Sequence, residues 1–160
     1  MSTKNKGILT CILSLIMSSL LLCSTDQDIS YKNKYYKLKL DSRTGSIKVL
    51  AKNGTNLIYQ ADSKKQPLFN ICFRDRSENG KVHPINAHHA DNFQYKVEKE
   101  KIKLFYTQFK DIDLQVNVKI NISPNSPKIR WNIDIENHTP YVIDHIDFPN
   151  IVVKNDLTGT

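Results

Sequence analysis

Residues 112–122 read IDLQVNVKINI and decide the fold class of this chain. Apolar residues occupy every second position, and nearly all the residues between them are polar. A period of two is typical of a β-strand that buries one face and exposes the other. The run therefore predicts a long strand whose buried face carries Ile112, Leu114, Val116, Val118, Ile120 and Ile122.

The same alternation recurs along the chain. In KIRWNIDIEN, residues 128–137, it places four apolar residues on one face: Ile129, Trp131, Ile133 and Ile135. Shorter alternating segments lie at residues 36–40, 47–49, 69–73 and 93–106. No segment after the first 25 residues shows a helical period of 3.6. We therefore predict an all-β, antiparallel β-sandwich, centred on residues 112–122 and 127–137.

The first residues read as an export signal. Lys4 and Lys6 precede GILTCILSLIMSSLLL, residues 7–22, an uncharged run of sixteen residues. This run is short for a membrane span and is typical of the apolar core of a signal peptide. We assign residues 1–24 to a signal peptide and predict export, either to a lipid-anchored position in a bacterial cell envelope or to the periplasm or medium.

Cys23 leaves two forms of processing open. The phrase LLLCST resembles the lipobox of bacterial lipoproteins, in which the cysteine receives the lipid, although Leu22 stands where such signals usually carry a small residue. Ordinary cleavage after Ser24 is the other reading. The rest of the chain divides into a polar tether over residues 25–34 and a β-sandwich domain over residues 35–160.

The charge pattern argues against nucleic-acid binding, and the cysteine content argues against an internal disulfide. The formal net charge is +7, but acidic residues interleave with the lysines, as in VEKEKIKL. Such mixing is typical of a solvated surface and argues against a nucleic-acid interface. Cys72 is the one cysteine beyond the signal region, so it has no partner for an internal disulfide, and we expect it to be a small buried side chain.

Four residues are candidate contacts for a ligand. HPINAHH, residues 83–89, contains three histidines, but their spacing matches no metal motif, so we predict neither a metal nor a cofactor. His88 and His89 are candidates for ligand contact from a loop. Four tyrosines point inward less clearly than the other aromatics: Tyr31, Tyr35, Tyr59 and Tyr141. An exposed ring can stack on the face of a sugar, and of these four we take Tyr59 and Tyr141 as the candidates.

Catalysis by this chain alone is not expected. Glycoside hydrolysis needs two carboxyl groups that face each other across the scissile bond. Asp134 and Glu136 instead share the polar face of one predicted strand, and Asp144 and Asp147 follow on what we expect to be the next strand. Motifs for an activated nucleophile or for phosphate binding are lacking in the sequence.

The first hairpin has a recognisable turn. Residues 35–59 read YYKLKLDSRTGSIKVLAKNGTNLIY. Gly45 can adopt a positive φ without steric cost, and Asp41 can accept hydrogen bonds from the turn backbone. We expect Ile47 and Val49 to pair with Leu38 and Leu40 across the hairpin.

This hairpin resembles the opening of the β-supersandwich domains of the galactose-mutarotase-like class. The matching positions are Thr44, Gly45, Ile47, Leu50 and Gly54. The later phrase IDHIDFPNI, residues 143–151, resembles the end of the first half of such a domain. The resemblance spans residues 36–153.

The resemblance implies a carbohydrate partner and a non-catalytic role. Such domains stand in front of the catalytic barrel in many secreted bacterial glycoside hydrolases. The full domain is longer than this chain, so we expect the domain to be incomplete. Because the family's acid and base would lie in a downstream barrel, no catalytic residue carries over. The alternative is an envelope lipoprotein with a structural or protein-binding role.

Overall fold

A computed structural model describes residues 27–58, 66–76, 79–110 and 112–154. Within them the chain forms eleven strands: β1 (Ile29–Lys32), β2 (Lys37–Leu40), β3 (Ile47–Lys52), β4 (Thr55–Asn56), β5 (Asn70–Arg74), β6 (Val82–Asn86), β7 (Ala90–Glu98), β8 (Lys101–Phe109), β9 (Leu114–Ile122), β10 (Ile129–Asn137) and β11 (Val142–Asp147). A 3-10 turn at Ala87–His89 precedes β7. No helix in the described part of the chain is long and apolar enough to cross a membrane.

The strands form three antiparallel sheets that pack as a sandwich, which confirms the predicted fold class. Their orders are β1-β2-β3-β4, β10-β9-β8-β7 and β11-β5-β6. The predicted signal peptide and its Cys23 lie outside the described residues.

The core lies between the four-stranded sheet of β7 to β10 and the other two sheets. Ile102, Leu104 and Tyr106 of β8 are fully buried. The ring of Phe69, just before β5, meets Tyr106 edge-on with 5.0 Å between ring centroids. Phe93 of β7 packs on the same tyrosine at 4.9 Å. The contact between Phe69 and Tyr106 therefore joins two layers of the sandwich, and Phe93 supports the Tyr106 ring from the neighbouring strand.

The turn between β2 and β3 has the predicted geometry. The Asp41 side chain accepts hydrogen bonds from the backbone N–H groups of Arg43 and Thr44, at 2.8 and 3.1 Å. Gly45 has φ +70°, and a side chain there would overlap the hydroxyl of Tyr106. That hydroxyl donates a hydrogen bond of 3.1 Å to the carbonyl of Thr44. The turn is therefore fixed from within and from the opposite sheet.

The pairing of β2 with β3 agrees with the prediction next to the turn, where Ile47 lies opposite Leu40, and differs from it by one residue further along. Leu38 lies opposite Leu50, not opposite Val49. The register shifts within the hairpin and leaves Lys48 as an extra residue of β3, which is a β-bulge. The Lys48 ammonium lies 2.8 Å from a carboxylate oxygen of Asp41. An ion pair of this kind depends on the folded turn, so alternation alone did not reveal the bulge.

The N-terminal boundary of the domain also differs. Residues 29–32, within the expected polar tether of residues 25–34, form β1 and pair with β2. Ile29 is opposite Leu40 and is 4% exposed. A single inward apolar residue in a short edge strand is too weak a periodic signal to distinguish a strand from a linker.

Candidate functional site

A cleft of about 340 Å³ lies between the turn that follows β1 and the edge strand β10. Its lining includes Lys34, Tyr35, Leu50, Leu57, Ile129 and Trp131. Lys52 and Asn53, at the turn after β3, add polar groups to the same lining. Tyr36 is a third aromatic residue of the lining, beside Tyr35 and Trp131. The cleft therefore combines aromatic and aliphatic side chains with cationic and amide groups.

Trp131 reaches the cleft because of its place in the sheet. It lies on the inward face of β10, which is the edge strand of its sheet, and the ring is only partly buried. Its indole meets Phe148 edge-on, with 6.4 Å between ring centroids. The sequence placed Trp131 on the correct face, but it did not show that this face opens into a cleft.

Tyr35 is held by a turn that Asn33 organises. The Asn33 side-chain oxygen accepts hydrogen bonds from the backbone N–H groups of Tyr35 and Tyr36, at 2.8 and 2.9 Å. Its amide nitrogen donates 2.9 Å to the carbonyl of Ser123, in the turn between β9 and β10. Asn33 therefore ties together the two segments that flank the cleft. The sequence analysis did not single out Asn33. An asparagine whose side chain accepts a hydrogen bond from the backbone two residues later is nevertheless a known turn signal.

A second cleft of about 420 Å³ adjoins the first. The two share Lys34, Tyr35, Tyr36, Ala51 and Asn53, and the second adds Lys32, Lys37 and Asn56. The Lys34 ammonium lies 4.9 Å from the centroid of the Tyr35 ring, which is a cation–π distance. Four lysines thus surround the paired clefts, and among the described residues neither lining contains an aspartate or a glutamate.

Two of the predicted contact residues have structural partners. His88 Nε2 lies 2.9 Å from the hydroxyl of Ser46, which is fully buried. Burial lowers the pKa of His88, because a charged imidazole is poorly solvated there. His89 is exposed, and its Nδ1 accepts a hydrogen bond of 3.3 Å from the Asn86 backbone. Both histidines belong to the 3-10 turn and its cap.

The predicted tyrosines are not brought together in a described site. Tyr141 is partly buried and stacks on His83, with 4.7 Å between ring centroids and 23° between the ring planes. Tyr59 lies outside the described residues. Neither Tyr141 nor the two predicted histidines line the paired clefts. Their role as sugar contacts stays a prediction.

The carboxylates do not form a facing pair. Asp134 and Glu136 are exposed on the outward face of β10, as expected. Asp144 and Asp147 lie on β11, the next strand along the chain, as expected, but β11 pairs with β5 and belongs to a different sheet from β10. Consecutive strands need not be neighbours when the chain passes from one sheet of a sandwich to the other. Asp144 instead accepts two hydrogen bonds from the Arg74 guanidinium, at 3.0 and 3.1 Å, and this contact lowers its pKa.

Other chemistry has little basis in the described ranges. No group of three His, Cys, Asp or Glu side chains converges there as a metal site would require. Cys72 is a free thiol on β5 and is partly buried, somewhat more open than expected. What the paired clefts offer is aromatic stacking, apolar contact and cationic attraction, which are means of binding.

Comparison with family models, with curated proteins and with solved structures finds no match. The paired clefts, and the chemistry of the residues that line them, are therefore the basis for a functional proposal.

Proposed function

We propose that this chain is a non-catalytic β-sandwich that binds carbohydrate, and that it corresponds to the N-terminal part of a galactose-mutarotase-like domain of a glycoside hydrolase. The observation that carries the proposal is the cleft that contains both Tyr35 and Trp131. Ligand sites typically combine an apolar, aromatic lining with a few placed polar groups. Sugars match such a lining, because one face of the ring presents C–H groups and its rim presents hydroxyls.

The charge of the clefts favours an acidic sugar. Lys32, Lys34, Lys37 and Lys52 line them, without a carboxylate among the lining residues. Cations concentrated in a concave surface attract anions, and the attraction weakens as salt rises. Oligosaccharides that carry carboxylate or sulfate groups are therefore the proposed ligand class.

Two further observations fit a binding role in an exported protein. The turn around Gly45, which carries the family resemblance, is held by hydrogen bonds that involve the Asp41 side chain and the Tyr106 hydroxyl. Asp134 and Glu136 point away from the core on one strand face, an arrangement that does not place two carboxyls across a sugar bond. Export, with or without a lipid on Cys23, would bring the clefts to extracellular polysaccharide.

The test is a glycan array that contains matched neutral and acidic oligosaccharides. We expect the full chain to bind acidic members, with loss of binding for Trp131→Ala and Tyr35→Ala. Tyr95→Ala is the matched control, since Tyr95 is an aromatic residue 44% exposed on β7, at the far edge of the sheet from β10. Absence of binding to every glycan, or equal loss in the control, would refute the proposal.

The alternative, an envelope lipoprotein that binds protein, is favoured by apolar side chains at the other sheet edges. Val97 of β7 is 50% exposed, and Ile143 and Ile146 of β11 are 36% and 39% exposed. Under this alternative the array would be negative, and a defined envelope protein would copurify with the chain. Copurification would then be lost when Val97 or Ile146 is changed to serine, and it would survive Trp131→Ala.

A further inference from the structure

Strand β10 presents an open edge. In the sheet order β10-β9-β8-β7, one side of β10 has no neighbouring strand among the described parts of the chain. The His138 backbone N–H donates 3.1 Å to the carbonyl of Asp113, and the pairing of β9 with β10 is regular over its whole length. Backbone groups alternate in direction along a strand. The N–H and C=O groups of the even-numbered residues of β10 therefore face β9, and those of the odd-numbered residues face the open edge.

The backbone groups that face the open edge have no partner among the described residues. Beyond the ladder to β9, no hydrogen bond joins the backbone of Ile129, Trp131, Ile133 or Ile135 to another described group. An open edge of this length is a template for pairing with another strand. The side chains of β10 and their charges determine which strand fits this edge.

The sequence of β10 is complementary to itself. If two copies pair antiparallel with Ile133 opposite Ile133, Arg130 of one copy lies opposite Glu136 of the other, twice by symmetry. Asn132 then lies opposite Asp134, and no like charges face each other. Opposite charges directly across an antiparallel pair stabilise it, and like charges destabilise it.

The two charged residues are available for this pairing. Inside one copy, Arg130 lies opposite Asn121 and Glu136 lies opposite Gln115, which are neutral. Neither Arg130 nor Glu136 forms an ion pair within the described ranges. Within one strand the two are six residues apart, roughly 20 Å, which is too far for direct contact.

The inward face of β10 also matches itself. In the same register Trp131 lies opposite Ile135 of the other copy, and the central pair is Ile133 with its own copy. These side chains are only partly buried in one copy. A second β10 would cover more of the apolar surface of Ile133 and Ile135, and apolar burial is the main driving term in association.

The other edge of the sheet is a poorer candidate. On β7, Glu98 lies 3.0 Å from the ammonium of Lys103 and 3.5 Å from that of Lys96. Its charge is therefore already paired inside one copy, whereas the charges of β10 are not.

We propose that the chain forms a two-fold symmetric dimer through antiparallel pairing of β10 with β10 of a second copy, centred on Ile133. The two sheets then join into one continuous sheet across the axis. In a closed two-fold contact the β10 edge of each copy is paired with the β10 edge of the other, so the contact ends at a dimer. This inference is independent of the sugar, since it rests on the backbone edge and on Arg130 and Glu136.

A charge-reversal cycle on the full chain tests the dimer. Sedimentation in mild detergent measures the dissociation constant for wild type, Arg130→Glu, Glu136→Arg and the double reversal. Each single reversal places like charges opposite each other twice, so we expect the dissociation constant to rise by roughly tenfold or more. The double reversal restores opposite charges and should return the constant to within about threefold of wild type.

Lys119→Glu is the matched control. It makes the same change in charge on the outward face of the neighbouring strand β9, away from the open edge. We expect it to leave the dissociation constant unchanged. A monomer at every concentration, an oligomer that ignores the single reversals, or a double reversal as weak as the singles would overturn the proposed dimer. Far-UV circular dichroism confirms that each variant is folded.

Discussion

Strands β9 and β10 carry the same alternating pattern and pair in register over nine residues, yet they differ in burial. The inward residues of β9 are at most 2% exposed, whereas those of β10 are only partly buried. The difference follows from position, since β9 has a strand on each side and β10 has one neighbour. Periodicity thus determines which face points inward, and the number of neighbouring strands determines how far that face is buried.

The edge position also gathers the functional features. Trp131 opens into the cleft beside Tyr35. Arg130 and Glu136 lie on the other face of the same strand and form no ion pair with another described residue. The interior of the sheet supplies stability, and the edge is where we propose that a sugar and a second copy bind.

The largest predicted effect separates an interior glycine from an exposed one. Gly45→Ala should cost about 4 kcal/mol or more, because the added methyl would overlap the buried Tyr106 hydroxyl in a turn with φ +70°. Gly54→Ala has φ +85° but no atom within 4 Å of the new methyl, so only the backbone term of about 1–2 kcal/mol remains. Denaturant unfolding measures both, and equal losses would show that packing at Gly45 does not matter.

The next prediction compares one isoleucine from each strand. Ile120→Ala on β9 should lower the unfolding free energy by about 2–5 kcal/mol, since its side chain is fully buried. Ile133→Ala on β10 should cost less than about 2 kcal/mol, because part of its side chain already meets solvent. Chemical denaturation of both variants at low protein concentration checks this. If Ile133→Ala were the more costly of the two, the edge description of β10 would fail.

Trp131→Ala should have a smaller effect on stability than a buried tryptophan would. Replacing a fully buried tryptophan costs about 3–5 kcal/mol, and Trp131 is only partly buried. We expect a loss of about 1–3 kcal/mol for this variant, together with loss of glycan binding. A loss above that range would place the ring in the core and leave it unavailable as a sugar platform.

The smallest predicted effect is a pH dependence at His88. Burial lowers the pKa of His88 in the folded chain, so below about pH 6.5 the unfolded chain binds more protons at this residue. Its contribution to stability is therefore complete above that pH and declines as the pH falls. Unfolding curves from pH 5 to 8 should show a shallower slope for His88→Gln than for wild type. His138→Gln, at an exposed position, serves as the control.

Most of the fold was predictable from local pattern, and the site was not. Alternation identified the faces of β2, β5, β8, β9 and β10, and the Asp41 to Gly45 turn followed from residue chemistry. The cleft depends on which strands become edges and on how Asn33 links two distant turns, and both are long-range properties. The order of the strands in the sheets is also a long-range property, which is why the sequence did not show that β11, with Asp144, pairs with β5 and not with β10.

Trp131 is the single tryptophan of the chain, so its fluorescence reports directly on the cleft. The decisive measurement is a titration of the full chain, at fixed protein concentration, with oligosaccharides that bear carboxylate or sulfate groups. We predict a saturable change in Trp131 emission that is lost in Tyr35→Ala and weakened by added salt. Emission that stays constant with every acidic and neutral oligosaccharide would contradict a sugar-binding cleft at the edge of this sheet.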